Sequence, residues 1–230
     1  FLHYILENVV RDVKKLGGFV QVDDDTLRTL TEQYIARYAE SELRNFQDRS
    51  PRFRYLFDRL RHAAFAVVRE TAEELRHSDF VPVAFELDFG DGKTLPAVSI
   101  REPDSELRIG GKVDRVDGWV KNGKLYLRVV DYKTGRKEFR LSDVRMGLDI
   151  QMLLYLFTLQ AEGERHFGMP VEPAGVLYFP ARDEILSAER NISPELLAAK
   201  RAGELHRCGL LLRDPEVLRA MEHEALERPV

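Results

Sequence analysis

A single cysteine, Cys208, occurs in the 230 residues of this chain. One thiol cannot close an internal disulfide or build a multi-cysteine zinc site, which points to a reducing, cytoplasmic setting. A basic excess is lacking too: 35 Lys and Arg stand against 39 Asp and Glu, a net charge of −4. Coating nucleic acid by charge alone needs a basic surface, so that class is excluded. An enzyme with a local basic groove, or one whose partner delivers the substrate, is not. No apolar run approaches the roughly 20 residues of a membrane span. Nothing resembles a secretory signal, an internal repeat or a low-complexity tract. Without a phosphate-binding P-loop, ATP hydrolysis is not expected. What is present is ample apolar content, 44%, and charged residues of both signs at 32%, which suits a folded domain. The chain opens on FLHYILENVV without an initiator methionine and ends on EALERPV, so a fragment of a larger protein is expected.

The first part reads as helices. Leu2, Ile5, Leu6, Val9, Val10 and Val13 keep helical spacing, and Gly17 and Gly18 stop it. An acidic cluster starts a second helix over 23–43, where carboxylates cap free amides, and Ser50-Pro51 starts a third, running to 78. At residue 79 the grammar changes. Strands are expected over 80–90, 95–100, 107–120 and 125–133, with hairpin turns at Asp91-Gly92-Lys93 and at 121–124. One helix is expected over 141–168, with Ser142 as a cap, then strands at 172–182 and 184–192 and helices at 193–207 and 214–226. This order predicts an α/β domain with a central mixed β-sheet flanked by helices, and a soft boundary between a helical portion, 1–78, and a sheet core, 79–230, within one compact domain.

Asp-x-Lys occurs three times, at Asp12, Asp91 and Asp131. The first lies on a polar helix face and the second in a tight turn, so both read as solvated surface. The third ends the buried-looking strand LYLRVVDYK, where Asp131 and Lys133 point to the same side. The strand before it, GGKVDRVDGWV, is joined by a short turn and should pair antiparallel, bringing Asp114 toward Asp131. Two close carboxylates repel unless a proton or cation lies between them. Hard divalent ions such as Mg²⁺ or Mn²⁺ take such oxygen ligands. A lysine beside them suits the hydrolysis of a phosphodiester. The bland alternative pairs Asp114 and Asp117 with Lys112 or Arg115, and Asp131 with Lys133, as structural salt bridges.

The run GGKVDRVDGWV…LYLRVVDYKTG…QMLLY resembles the nuclease core of the RecB family within the PD-(D/E)xK superfamily, most nearly its AddB type. That family carries Gly-x-(Ile/Val)-Asp-Arg-(Ile/Val)-Asp on one strand, Asp-Tyr-Lys-Thr-Gly on the next and Gln-x-x-x-Tyr on the following helix. The resemblance implies a restriction-endonuclease-like fold and a Mg²⁺- or Mn²⁺-dependent deoxyribonuclease, an exonuclease acting in DNA end processing and recombination repair. It implies Asp114 and Asp131 as metal ligands, the Tyr132 carbonyl as a further ligand and Lys133 as the catalytic lysine. Gln151 and Tyr155 would contact the substrate strand or brace the site. A first helix with a histidine near its start and a glutamate four residues on would be represented by His3 and Glu7, with His3 completing the metal shell. Glu86 is a weaker supporting acid. Asp117 is expected to be structural or peripheral. Arg136, Lys137 and Arg140 could line a phosphate track or form a solvated face.

The resemblance also implies a partner, a helicase subunit of the AddA type that feeds single-stranded DNA to the nuclease. Proteins of the AddB type usually hold an iron–sulfur cluster on four cysteines. Those cysteines are absent here, so any cluster belongs to a longer protein. Two rivals remain: a stand-alone exonuclease of the same superfamily, such as the CRISPR-associated kind, and a catalytically silent nuclease-like domain that holds DNA or braces a partner.

Overall fold

The computed structural model describes all residues except 44–49, 183–191, 194–195, 198–199, 201–202, 204–205 and 225–230. It divides into two compact units. The first comprises Phe1–Arg76, Lys133–Arg136 and Pro180–His206; the second comprises His77–Tyr132, Lys137–Phe179 and Arg207–Val230.

The first unit is built on α1 (Leu2–Lys15), α2 (Asp24–Glu42) and α3 (Pro51–Arg76). The spacing in α1 puts Ile5, Leu6, Val9, Val10 and Val13 on one buried stripe, which packs on α2 and α3. Each such side chain removed from water contributes roughly 1.5–3 kcal/mol. Helix starts follow the sequence signals: Asp23 accepts the Thr26 amide at 2.8 Å ahead of α2, and Ser50 Oγ accepts the Phe53 amide at 3.3 Å ahead of α3. Arg76, at the end of α3, reaches back to the α1–α2 connection and donates to the carbonyls of Phe19 and Val22.

The second unit is a five-stranded sheet in the order β1-β4-β5-β6-β7, with a separate ribbon of β2 and β3. The strands are β1 (Val81–Phe89), β2 (Val98–Glu102), β3 (Ser105–Ile109), β4 (Gly111–Lys121), β5 (Lys124–Lys133), β6 (Val171–Pro180) and β7 (Cys208–Leu211). The pairs β1–β4, β4–β5 and β6–β7 are antiparallel. Between β5 and β6 the amide of Leu125 donates to Pro170 and that of Ala181 to Lys133, so residue numbers rise together and the pair is parallel. The crossover is α5 (Gln151–Phe167), whose Met152, Tyr155, Leu156 and Leu159 pack on Val116, Leu127, Val129 and Val176. On the other side α6 (Pro215–Met221) packs Val217, Ala220 and Met221 against Phe80 and Ala174. The central mixed sheet flanked by helices is the fold class expected from the residue pattern.

Several local expectations need correction. The strand over 107–120 is two strands, β3 and β4, parted at Gly110. The turn at Asp91-Gly92 does not return β2 alongside β1; β2 pairs with β3, while β1 pairs with β4. The helix over 141–168 is α4 (Leu141–Arg145) and α5, because Gly147 (φ 78°) and Asp149 (φ 54°) enter the left-handed region that breaks a helix. Ser142 lies inside α4, whose N-cap is Arg140. β7 falls where the residue pattern predicts no strand. The strand expected at 184–192 falls almost wholly outside the described residues, as does much of the helix at 193–207. The last helix ends at Met221.

Candidate active site

β5 is a strand because Leu127, Val129 and Val130 are all buried, on both faces of the sheet. It turns back from β4 through Asn122 and Gly123, both at positive φ as a two-residue hairpin requires. Pairing then runs from Lys121 with Lys124 to Arg115 with Val130. One more step in that register sets Asp114 opposite Asp131. There Asp114 Oδ2 accepts the Tyr132 backbone N–H at 2.8 Å. The carboxylate of Asp114 thus rests on the peptide group that joins Asp131 to Tyr132. Asp131 Oδ2 is itself buried. On neighbouring β6 the Tyr178 phenol is pushed up to about 12, first by burial and next by the negative charges of Asp149 and Asp131.

Glu86 has a larger place than the sequence suggested. β1 pairs Phe85 with Arg115 and Leu87 with Val113, so Glu86 stands opposite Asp114. A carboxylate oxygen of each lies within 4.8 Å of the other. Glu86 has φ 48°, a conformation costing a non-glycine residue about 1–3 kcal/mol. Its Oε2 meets Lys112 Nζ at 3.0 Å, and its Oε1 is buried. One cation held about 2–2.6 Å from each ligand can bridge oxygens at that separation. The donor set of Glu86 and Asp114, both carboxylates, therefore fits a hard divalent ion. The signal available in sequence was an acid interrupting the apolar run AFELDF.

Lys133 closes β5, half-buried, and its carbonyl accepts the Ala181 amide at 2.8 Å. His3 lies on the first turn of α1 and is half-buried. Glu7 is paired with Arg11 at 2.5 Å. Lys137 is tied to Asp149 at 2.6 Å and Arg140 to Glu138 at 2.5 Å, so neither extends alone into solvent.

Gln151 and Tyr155 form a chain of hydrogen bonds. Gln151 Nε2 donates to the Tyr155 hydroxyl at 2.7 Å, and that hydroxyl donates to the Gly110 carbonyl at 3.3 Å. Tyr155 is only 1% exposed and stacks on Phe89 with ring centres 4.6 Å apart. It braces the start of β4. A Cβ on Gly111 would stand 1.6 Å from the Tyr155 oxygen. Gly111→Ala is accordingly expected to cost about 1–3 kcal/mol by overpacking. Thermal melting checks this: the variant should unfold several degrees lower, and unaltered melting would refute the tight contact.

On the face of β4 and β5 reached by Arg115 lies a fully buried ionic cluster. Asp117, at 0% exposure, receives two guanidinium groups. Arg115 Nη2 donates to Asp117 Oδ2 at 2.9 Å, while Arg115 Nε stands 2.9 Å from Oδ1 as a charge contact. Arg128 Nε, directly across the strands, donates to Oδ2 at 2.9 Å. Arg115 Nη1 also donates to the Tyr132 phenol at 2.6 Å. Asp117 is thus structural, as expected, but central rather than peripheral. Cys208 lies on β7, its thiol near the Lys137 carbonyl and its pKa raised by burial. A lone protonated thiol does not fit an iron–sulfur cluster, which needs several thiolates.

The description "PD-(D/E)XK nuclease superfamily" belongs to a family model that matches residues 1–228. Curated relatives include a subunit of the ATP-dependent helicase/deoxyribonuclease of Clostridium acetobutylicum, 32% identical over 226 residues. The corresponding subunits from Acetivibrio thermocellus and Clostridium novyi are 34% and 31% identical. Each alignment covers 97% of this chain and 20% of the relative, so the chain spans about a fifth of their length.

Proposed function

This chain belongs to the PD-(D/E)XK nuclease superfamily, and from that premise we propose that it is a divalent-metal-dependent deoxyribonuclease domain. The observation that carries the reading is the meeting of three strands at one place: Glu86 of β1 beside Asp114 of β4, with Asp114 bonded to the Asp131–Tyr132 peptide of β5. Glu86, Asp114 and Asp131 would hold a Mg²⁺ or Mn²⁺ ion, with the Tyr132 carbonyl as a further oxygen donor. When bound, such an ion activates water and offsets charge developing on a phosphoryl oxygen. Lys133, which shares the Asp131 side of β5, would hold the attacking water and move its proton. Gln151 and Tyr155 would keep β4 in place beneath Asp114.

The substrate we assign is a DNA strand, cleaved exonucleolytically in a reducing, cytoplasmic setting. Its supply by a helicase partner agrees with the net charge of −4, since bulk attraction would not gather DNA on such a protein. The names of the relatives, subunits of an ATP-dependent helicase/deoxyribonuclease, support the same assignment. No helix among the described residues is long and apolar enough to cross a membrane.

Mn²⁺ titration followed by electron paramagnetic resonance tests the site without requiring turnover. The chain should bind Mn²⁺ with a Kd of about 1 mM or tighter, and Asp114→Ala and Asp131→Ala should each abolish binding. A wild-type protein that takes up no Mn²⁺ would leave a domain that only holds DNA or braces a partner.

A further inference from the structure

The nuclease reading uses Asp114, Asp131 and Lys133 but leaves the buried cluster behind them without a role. Three charged side chains, Arg115, Asp117 and Arg128, are at most 2% exposed. Taking charges out of water is expensive, and apolar residues of similar volume often stabilise a fold as well or better. Stability alone is therefore a poor reason for this cluster. Its connections suggest another one.

Pairing between β4 and β5 is regular as far as Arg115 with Val130. Beyond that pair the strand tips are tied by side chains. Arg115 immediately follows Asp114, and its Nη1 grips the Tyr132 phenol at 2.6 Å. The guanidinium also lies over the Tyr132 ring, 5.5 Å from its centre, and over that of Phe179 at 6.0 Å. Tyr132 stands between Asp131 and Lys133, and its amide holds Asp114 at 2.8 Å. One residue is thus held at both ends, its phenol by Arg115 and its amide by Asp114. Asp117 completes the arrangement. By receiving both guanidiniums it fixes the plane of Arg115, and with it the direction of Nη1.

We propose that the Arg115–Asp117–Arg128 cluster, acting through the Tyr132 phenol, positions the two strand tips so that the Asp114 and Asp131 carboxylates converge on one cation. The inference rests on the metal-site reading above. Arg115, Asp117 and the Tyr132 phenol are positioning groups on this account; none of them touches substrate. Groups that orient metal ligands from behind typically change metal affinity or activity 10–100-fold when removed.

The test is Tyr132→Phe, which keeps the ring and deletes only the oxygen that Arg115 holds, with Arg115→Lys as a second variant that keeps the charge but loses the planar fork. Both are compared with wild type, in the full-length protein, by circular dichroism, Mn²⁺ titration and amide hydrogen exchange at position 132. The expected result for each is a native spectrum, Mn²⁺ affinity weaker by about 10-fold or more, and faster exchange of the position-132 amide in the absence of metal. With DNA, kcat should fall while KM stays near the wild-type value. Affinity within twofold of wild type, together with unaltered amide exchange, would overturn the positioning role while leaving the metal site standing. If wild type itself binds no Mn²⁺, the metal-site reading fails and this inference fails with it.

Discussion

Lys133→Ala is expected to reduce cleavage of single-stranded DNA by about 10²–10⁴-fold, the usual loss when a positioned proton-transfer group is removed. The folded state should persist. Lys133 is only half-buried at the end of β5, and the Ala181 hydrogen bond that anchors it uses the backbone carbonyl, which alanine retains. Mn²⁺ binding should persist as well, because an ammonium group donates nothing to a cation. The informative result is the combination: native melting, retained Mn²⁺ and lost turnover. A variant that cleaves at the wild-type rate would remove Lys133 from the mechanism, and one that loses Mn²⁺ would make it a structural support of the carboxylates. Measurement with the proposed helicase partner present keeps substrate delivery from limiting the rate.

The second large effect concerns stability. Asp117→Ala leaves the guanidiniums of Arg115 and Arg128 close together without the carboxylate that both contact at 2.9 Å. Breaking such a buried arrangement costs about 3–5 kcal/mol, and at this size each kcal/mol lowers melting by roughly 2–4 °C. Calorimetry should therefore show a fall of roughly 6–20 °C. The triple change Arg115→Met, Asp117→Leu, Arg128→Met removes the charges together and should melt close to the wild type. If Asp117→Ala melts within about 2 °C of wild type, the cluster contributes far less than its burial implies. The pair of variants separates the two roles of Asp117, since the triple variant would restore stability without restoring the grip on Tyr132.

Much of the fold was legible because it rests on local periodicity and capping. The α1 stripe, the Asp23 and Ser50 caps, the Asn122-Gly123 turn and the alternating strands can all be read one segment at a time. Errors arose where a distant partner decided. Gly110 reads as part of one continuous strand, yet the chain breaks there because β3 pairs away from the sheet with β2 while β4 enters it. β7 has only four residues, Cys208–Leu211, and exists through its bonds to β6. The break before α5 depends on Asp149 taking φ 54°, which composition does not reveal. Gln151 and Tyr155 were recognisable as a pair, but whether the tyrosine met substrate or core depended on its burial.

The sequence by itself determined the inventory: which strands end in acids, where the lysine follows, and which family pattern these residues match. Those are properties of order along the chain, and spacing carries them. Tertiary structure decided which acid faces which. Glu86 and Asp114 are 28 positions apart by their numbers, and only the β1–β4 register, with Glu86 in a left-handed conformation, brings their oxygens together. Asp117 lies three residues from Asp114, yet its place between two arginines is set by β5 pairing. Charges interact through distance and burial, and neither quantity exists until the strands have found their neighbours.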